Sequence, residues 1–131
     1  MREAIDTSRR TGEIHLKRAY EDPSPEDGDR YLVDRVWPRG ASKERLNLKG
    51  WLKNVAPSTE LRQWFAHQDE RWEAFETRYR SELAQKEEAL APLLETARHG
   101  TVTLVYGAKD REHNQAVVLK KILEERLASD S

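Results

Sequence analysis

The sequence has no cysteine among its 131 residues, which excludes disulfide bridges, thiolate nucleophiles and cysteine-ligated metal ions. It has no internal repeat and no low-complexity segment. No stretch approaches the roughly 18–20 apolar residues that a membrane-spanning helix needs, and the first residues carry charges where a leader peptide would be apolar. We therefore expect a protein of the reducing cytoplasm that does not associate with membranes.

Charge is abundant but balanced, since 23 Lys and Arg residues face 24 Asp and Glu residues, for a formal net charge of −1. Charged residues make up 36% of the chain and hydrophobic residues 37%, so the surface must be strongly ionic around a compact core. The chain lacks the basic excess that is typical of nucleic-acid-binding proteins, so such a function would require a local basic patch.

The apolar pattern alternates between segments typical of strands and segments typical of helices. Strands are predicted over residues 13–20, 31–36 and 101–106, and helices over residues 46–56, 59–67, 70–85, 92–99 and 111–127. We expect residues 1–12 to form a flexible N-terminal arm and residues 13–128 a single α/β domain. Its sheet should be small and mainly parallel, with three strands or slightly more, flanked by helices.

A basic turn follows the second predicted strand. Pro38 and Gly40 end that strand, because proline removes a backbone donor and glycine admits positive φ. The basic residues within the turn or just after it are Arg35, Arg39, Lys43, Arg45 and Lys49. In an open parallel sheet, ligands bind at the carboxyl ends of the strands. If the strands run the same way, this turn and loop 107–110 lie together at one edge of the sheet.

The residues at that edge predict an anion-binding site. Arg35, Arg39 and Lys109 would neutralise a phosphate, a nucleotide or a carboxylate, and the start of the last helix would add free N–H groups. The other predicted ligand-binding residues are polar groups that would position the ligand or handle a proton, and one aromatic ring that would form a flat wall: Asp34, Asp110, Asn114 and Trp37.

The sequence assigns neither a catalytic residue nor a cofactor. It contains no phosphate-binding glycine loop, no dinucleotide fingerprint and no nucleophile elbow. The four histidines show no metal-ligand spacing, so no metal site is predicted, and His113 is the best placed of them for a general base. As an enzyme, the protein is expected to catalyse hydrolysis or group transfer, with arginines stabilising the developing charge.

Two alternatives stand beside the anion site. Structurally, Arg35 could pair with an acid across the sheet edge and Asp110 could cap the last helix, while the tryptophans pack in the core. Functionally, the protein could be a non-catalytic interaction module that binds nucleic acid or an acidic protein partner through the basic turn. Such a module needs a broad basic face that extends from the turn, whereas a small ligand needs a concave pocket.

Four blocks of sequence resemble the DUF488 family, and in particular its YeaO-like branch. The blocks are DRVWPRG (34–40), WLKNVAPSTELRQWF (51–65), WEAFETRY (72–79) and LVYGAKDREHNQAVVL (104–119). The resemblance covers most of residues 13–127 and implies an α/β domain without an established activity. Other members carry a Cys after the strand and a Cys-His-Arg run at the start of the helix. Here those places hold Tyr106 or Gly107 and residues 113–115, so thiol chemistry does not carry over.

Overall fold

The computed structural model describes residues 12–129, so the predicted arm lies outside the described residues except for Gly12. The strands are β1 (Ile14–Arg18), β2 (Asp29–Leu32), β3 (Gly50–Trp51) and β4 (Val102–Tyr106). The helices are α1 (Lys43–Leu46), α2 (Thr59–Phe65), α3 (Trp72–Ala84), α4 (Ala91–His99) and α5 (Gln115–Ser129). Short 3-10 turns lie at Pro25–Asp27, Lys53–Val55, Asp69–Arg71 and Glu87–Leu90. In this part of the chain, no helix has the length and apolar character needed to cross a membrane.

The strands form one parallel sheet in the order β1-β4-β2-β3. Leu104 of β4 pairs with Leu16 of β1 on one side and with Tyr31 of β2 on the other. All five residues of β4 are buried, as expected for a central strand covered on both faces. The predicted α/β fold with a small parallel sheet is therefore confirmed, with four strands. Because the strands are parallel, all their carboxyl ends lie at one edge, which we call the rim.

The two faces of the sheet are covered differently. Alternate residues of a strand point to opposite faces, so Tyr31 and Val33 join the main core while Leu32 faces the other way. The main core also contains side chains from α2, α3, α4 and α5. On the opposite face, Leu32 belongs to a smaller cluster with Leu46 of α1, and Trp37 and loop residues pack around it. The helices therefore lie mainly on one side of the sheet.

The second strand begins and ends earlier than predicted, at Asp29 and Leu32 rather than at residues 31 and 36. The backbone N–H of Val33 still donates to the carbonyl of Val105 at 3.0 Å, but the ladder stops there. The next two residues use their side chains to bind other segments of the rim, which draws the chain away from the sheet. Val36, which the apolar pattern placed in the strand, is consequently 55% exposed.

The predicted helix over residues 46–56 is wrong. Helix α1 ends at Leu46, because the next residue, Asn47, adopts a left-handed conformation with φ of 49°. The chain then runs through β3, where Trp51 pairs with Leu32, and into a 3-10 turn. The helical spacing of the apolar residues predicted a helix that does not form. Sheet pairing and the left-handed residue outweigh the modest helix propensity of so short a segment.

The last helix begins at Gln115, four residues later than predicted. Asn114 caps it, because the Asn114 Oδ1 accepts a hydrogen bond from the backbone N–H of Val117 at 3.2 Å. Asp110 instead accepts hydrogen bonds from the backbone N–H groups of Glu112 and His113, which closes a separate turn before the helix. Asp110 is therefore not the helix cap, although it uses the same chemistry one turn earlier.

Candidate functional site

A pocket of about 360 Å³ opens at the rim, and we call it the rim pocket. Its walls come from the segment after β2, the residues before α2 and the second half of that helix, the loop after β4 and the start of α5. Its volume falls within the range of small-molecule sites, and it lies where open parallel sheets bind ligands. The carboxyl-edge location predicted from the sequence thus coincides with a concave surface.

Three arginines line the rim pocket, namely Arg35, Arg39 and Arg62. Arg35 is held by main-chain carbonyls, since its Nε donates to Pro57 and its Nη2 to Ala56, each at 3.2 Å. Across residues 12–129, no carboxylate forms an ion pair with any of the three guanidinium groups. The acid partner that the structural alternative predicted for Arg35 is therefore not found in the described part of the chain, and main-chain carbonyls hold the guanidinium group instead.

Asp34 connects three segments of the pocket wall. Its Oδ2 accepts a hydrogen bond from the backbone N–H of Gly107 at 2.9 Å, and its Oδ1 accepts one from the Gln115 side-chain amide. Its carbonyl accepts a hydrogen bond from the indole N–H of Trp51 at 2.7 Å. Burial raises the pKa of Asp34 above its usual value, against the opposing effects of these donors and of the nearby Arg62 charge.

Gly107 is required at its position by this close approach. A Cβ atom added there would lie 2.9 Å from the Asp34 Oδ2, nearer than such contacts normally occur. The glycine therefore lets the backbone N–H reach the carboxylate directly, which fixes the direction of the Asp34 side chain.

Asn114 borders the pocket but its amide is already occupied. Its Nδ2 donates to the carbonyl of Asp110 at 2.8 Å, while its Oδ1 caps α5. The side chain is 3% exposed. Its position therefore favours holding the loop and helix start in place over contacting a ligand.

His113 lines the rim pocket and contacts two carboxylates. Its Nδ1 lies 3.1 Å from an Asp110 oxygen and 3.4 Å from an Asp69 oxygen. Hydrogen bonds from the backbone N–H groups of Glu112 and His113 lower the pKa of Asp110. Within residues 12–129 this trio is the group of side chains that could hold a metal ion, and it equally forms ion pairs when the imidazole is protonated.

Apolar side chains form the rest of the wall. Trp37 packs edge-on against Trp51, with ring centroids 5.3 Å apart, and its indole N–H donates to the carbonyl of Ala41 at 2.7 Å. The Trp37 ring therefore presents an apolar surface to the pocket. Phe65 and Pro57 contribute further apolar area on the α2 side. The pocket thus combines cationic groups with a hydrophobic wall.

Most of the predicted ligand-binding residues line the rim pocket: Asp34, Arg35, Trp37, Arg39 and Asn114. Lys109 and Asp110 are not in its lining, because Lys109 is exposed and Asp110 is turned to His113. Arg62 and Gln115 also line the pocket and were not predicted. Arg62 looks like any exposed arginine of an amphipathic helix, so nothing in the sequence distinguishes it. Gln115 lies in the segment 113–115 that the family resemblance had marked, and that signal was available.

Comparison with known proteins places the chain among proteins without an assigned activity. Residues 13–131 match a family model described as the inactive DUF488-N3 subclade. The uncharacterised protein Rv3073c of Mycobacterium tuberculosis H37Rv is 42% identical over 113 residues, which cover 86% of this chain and 95% of the relative. The uncharacterised protein YeaO of Escherichia coli K12 is 42% identical over 106 residues, which cover 81% and 92%. No solved structure gives a significant match. The chain therefore belongs to the DUF488 family, as its four sequence blocks predicted.

Proposed function

We propose that the rim pocket binds a small anionic ligand with an apolar or ring-shaped part, and binds it without turnover. The observation that carries this proposal is the convergence of three arginines, none paired with a described carboxylate, on one concave site. Guanidinium groups offer paired donors that match a phosphate or a carboxylate. The Trp37 ring supplies the apolar surface for the rest of the ligand.

The charges elsewhere in the chain make this convergence informative. Arg30, Arg80 and Arg126 each form an ion pair with a carboxylate. We call Arg35, Arg39 and Arg62 the rim arginines. Acidic residues are as plentiful as basic ones, so the sequence contains enough carboxylates to pair with the rim arginines. Like charges gathered in one pocket repel one another, and a bound anion would relieve that repulsion.

The family context favours binding over catalysis. The matching family model is described as an inactive subclade. Where the resemblance gives other members a Cys and a Cys-His-Arg run, this chain has Tyr106 or Gly107 and residues 113–115, and Gly107 and residues 113–115 lie in the pocket wall. The same wall would lack their reactive groups, while the cationic and apolar parts of a binding site are kept.

The interaction module for nucleic acid or an acidic partner is the weaker proposal. It requires that free basic side chains continue from the turn over a broad face. Arg45 is paired with Asp22 at 2.7 Å, and the Lys53 ammonium lies over the Trp51 ring at 4.2 Å. A concave pocket favours a small ligand. A cytoplasmic location stays a prediction from the sequence.

Calorimetric titration of the full chain tests the proposal with three probes: inorganic phosphate, adenosine 5′-monophosphate and benzoate. We expect binding of at least one probe that weakens at least about ten-fold in Arg62→Gln, because hydrogen bonds to charged groups contribute about 1.5–3 kcal/mol. Arg78→Gln is the matched control, since Arg78 is an exposed helical arginine that lies over Trp64 outside the pocket. Absence of binding at millimolar concentrations, or equal weakening by both variants, would overturn the proposal.

A further inference from the structure

The rim pocket contains a carboxylate that the binding of a simple anion does not explain. Asp34 lines the pocket together with the three arginines, yet it forms no ion pair with them in the described part of the chain. A carboxylate that served only to neutralise the arginines would lie against a guanidinium group, as Asp27 does against Arg30 at 2.7 Å. Asp34 instead receives hydrogen bonds from Gly107 and Gln115.

The two donors leave Asp34 with unused acceptor capacity. An ionised carboxylate has about four lone-pair sites, and each Asp34 oxygen accepts one hydrogen bond. The donors also fix its direction, because the backbone N–H of Gly107 approaches where no Cβ would fit. Such a preorganised acceptor repels a plain anion but binds a donor group of a ligand.

The net charge of the pocket further limits the class of ligand. Three guanidinium groups and one ionised carboxylate leave two positive charges in the pocket. That balance matches the dianion of a phosphate monoester better than the single charge of a carboxylate. The pocket therefore combines a surplus suited to a phosphate group with an acceptor suited to an O–H or N–H group on the same molecule.

We propose that Asp34 accepts a hydrogen bond from a hydroxyl group of the ligand, so that the rim pocket selects phosphate monoesters of hydroxylated compounds over bare phosphate and donor-free esters. This inference rests on the anion-binding function proposed above. The arginines bind the phosphate group, and Asp34 binds a hydroxyl group of the remaining part.

A pair of probes with the same ring size and phosphate position tests the inference. Ribose 5-phosphate carries hydroxyl groups, whereas cyclopentylmethyl phosphate has none. In calorimetric titrations of the full chain, we expect ribose 5-phosphate to bind at least about ten-fold more tightly, since a hydrogen bond to a charged acceptor has that strength. In Asp34→Asn, this preference should fall to within about three-fold, without weaker binding of the donor-free ester. Asp29→Asn, at the opposite edge of the sheet, should keep the preference.

The outcomes separate the two proposals. If neither ester nor inorganic phosphate binds, the anion site itself is wrong. If both esters bind equally, or if Asp34→Asn keeps the preference, the anion site stands and the role of Asp34 is overturned. Should Asp34→Asn fail to fold, the Asp34 carboxyl ¹³C resonance of the unaltered protein gives the answer. It should shift more with ribose 5-phosphate than with cyclopentylmethyl phosphate, and equal shifts with the two esters would refute the contact.

Discussion

Strand β2 has a charged cluster near each end, and the two clusters use charge in opposite ways. Near its start, the Asp27 carboxylate pairs with Arg30 at 2.7 Å and with Lys17 at 3.0 Å, and we call this trio the buried ion cluster. Beyond its end, the rim arginines form no ion pair with any described carboxylate. Charge is therefore paired with charge at one end, whereas at the other end the arginines are not paired with a described carboxylate.

The surroundings of the two clusters differ in the same sense. The buried ion cluster is enclosed: Arg30 is 3% exposed and also donates from its Nε to the carbonyl of Leu46 at 2.8 Å. The Asp27 carbonyl accepts a hydrogen bond from the Thr103 hydroxyl at 2.7 Å, which joins the cluster to the central strand. The rim arginines border an open pocket. We infer that the first cluster serves the fold, and that the second adds little to stability.

Removing the central acid of the buried ion cluster should have the largest effect. Asp27→Ala leaves Arg30 without its carboxylate partner in a buried site, which costs about 3–5 kcal/mol of unfolding free energy. Urea denaturation measures the loss. The control is Asp22→Ala, whose exposed pair with Arg45 should contribute less than about 1 kcal/mol. Similar losses in both variants would mean that the buried cluster does not serve the fold as described.

Acid should weaken the same cluster by a smaller amount. Burial raises the pKa of Asp27, but hydrogen bonds from Lys17, Ser24 and Arg30 outweigh it and lower that pKa from 3.8 to about 2. A lowered folded-state pKa gives stability that is present above pH 3.8 and is lost as the pH falls towards 2. The loss should reach about 2 kcal/mol. Urea denaturation from pH 5 to pH 2 should show this loss relative to Asp27→Asn, which lacks the titrating group. Parallel pH profiles for the two proteins would contradict it.

Crowding the rim should lower the free energy of unfolding by a still smaller amount. In Gly107→Ala, the new Cβ would meet the Asp34 Oδ2 at 2.9 Å, so the carboxylate must move and its hydrogen bond must lengthen. We expect a loss of about 1–2 kcal/mol in thermal or urea denaturation, at the lower end of overpacking effects. Gly100→Ala is the matched control, because nothing lies within 4 Å of a Cβ there. Equal behaviour of the two alanine variants would show that Asp34 is not held tightly.

Much of the fold was predictable, because most elements carry their signal locally. The apolar run at 101–106 identified β4, and Ser58 correctly marked the start of α2, where its hydroxyl accepts from Leu61 at 3.0 Å. Strand β3 was not predictable in the same way. It has two residues, and it exists only because it pairs with Tyr31 and Leu32 of β2. Such a partnership between distant segments leaves no periodic pattern in a single sequence.

The site residues, like the elements of the fold, were predictable where their signal is local and were missed where it is not. The basic turn was found because Arg35 and Arg39 follow a strand directly, and parallel strands bring their carboxyl ends together. Arg62 was missed because it lies on α2, and the sequence around it does not indicate that its side chain faces the pocket. Lys109 was expected in the pocket because its loop follows β4, but membership of a loop does not determine where its side chain lies.

Removing a rim arginine should have the smallest effect on stability. This result would separate the role of the rim arginines most clearly from that of the buried ion cluster. Arg62→Gln breaks no ion pair within residues 12–129 and reduces repulsion among the rim arginines, so the unfolding free energy should change by less than about 0.5 kcal/mol. Thermal denaturation with and without phosphate then distinguishes the two uses of charge. A ligand stabilises the state that binds it, so phosphate should raise the Tm of the unaltered protein more than that of Arg62→Gln. A loss above about 1 kcal/mol without ligand would instead place Arg62 with the charges that hold the fold together.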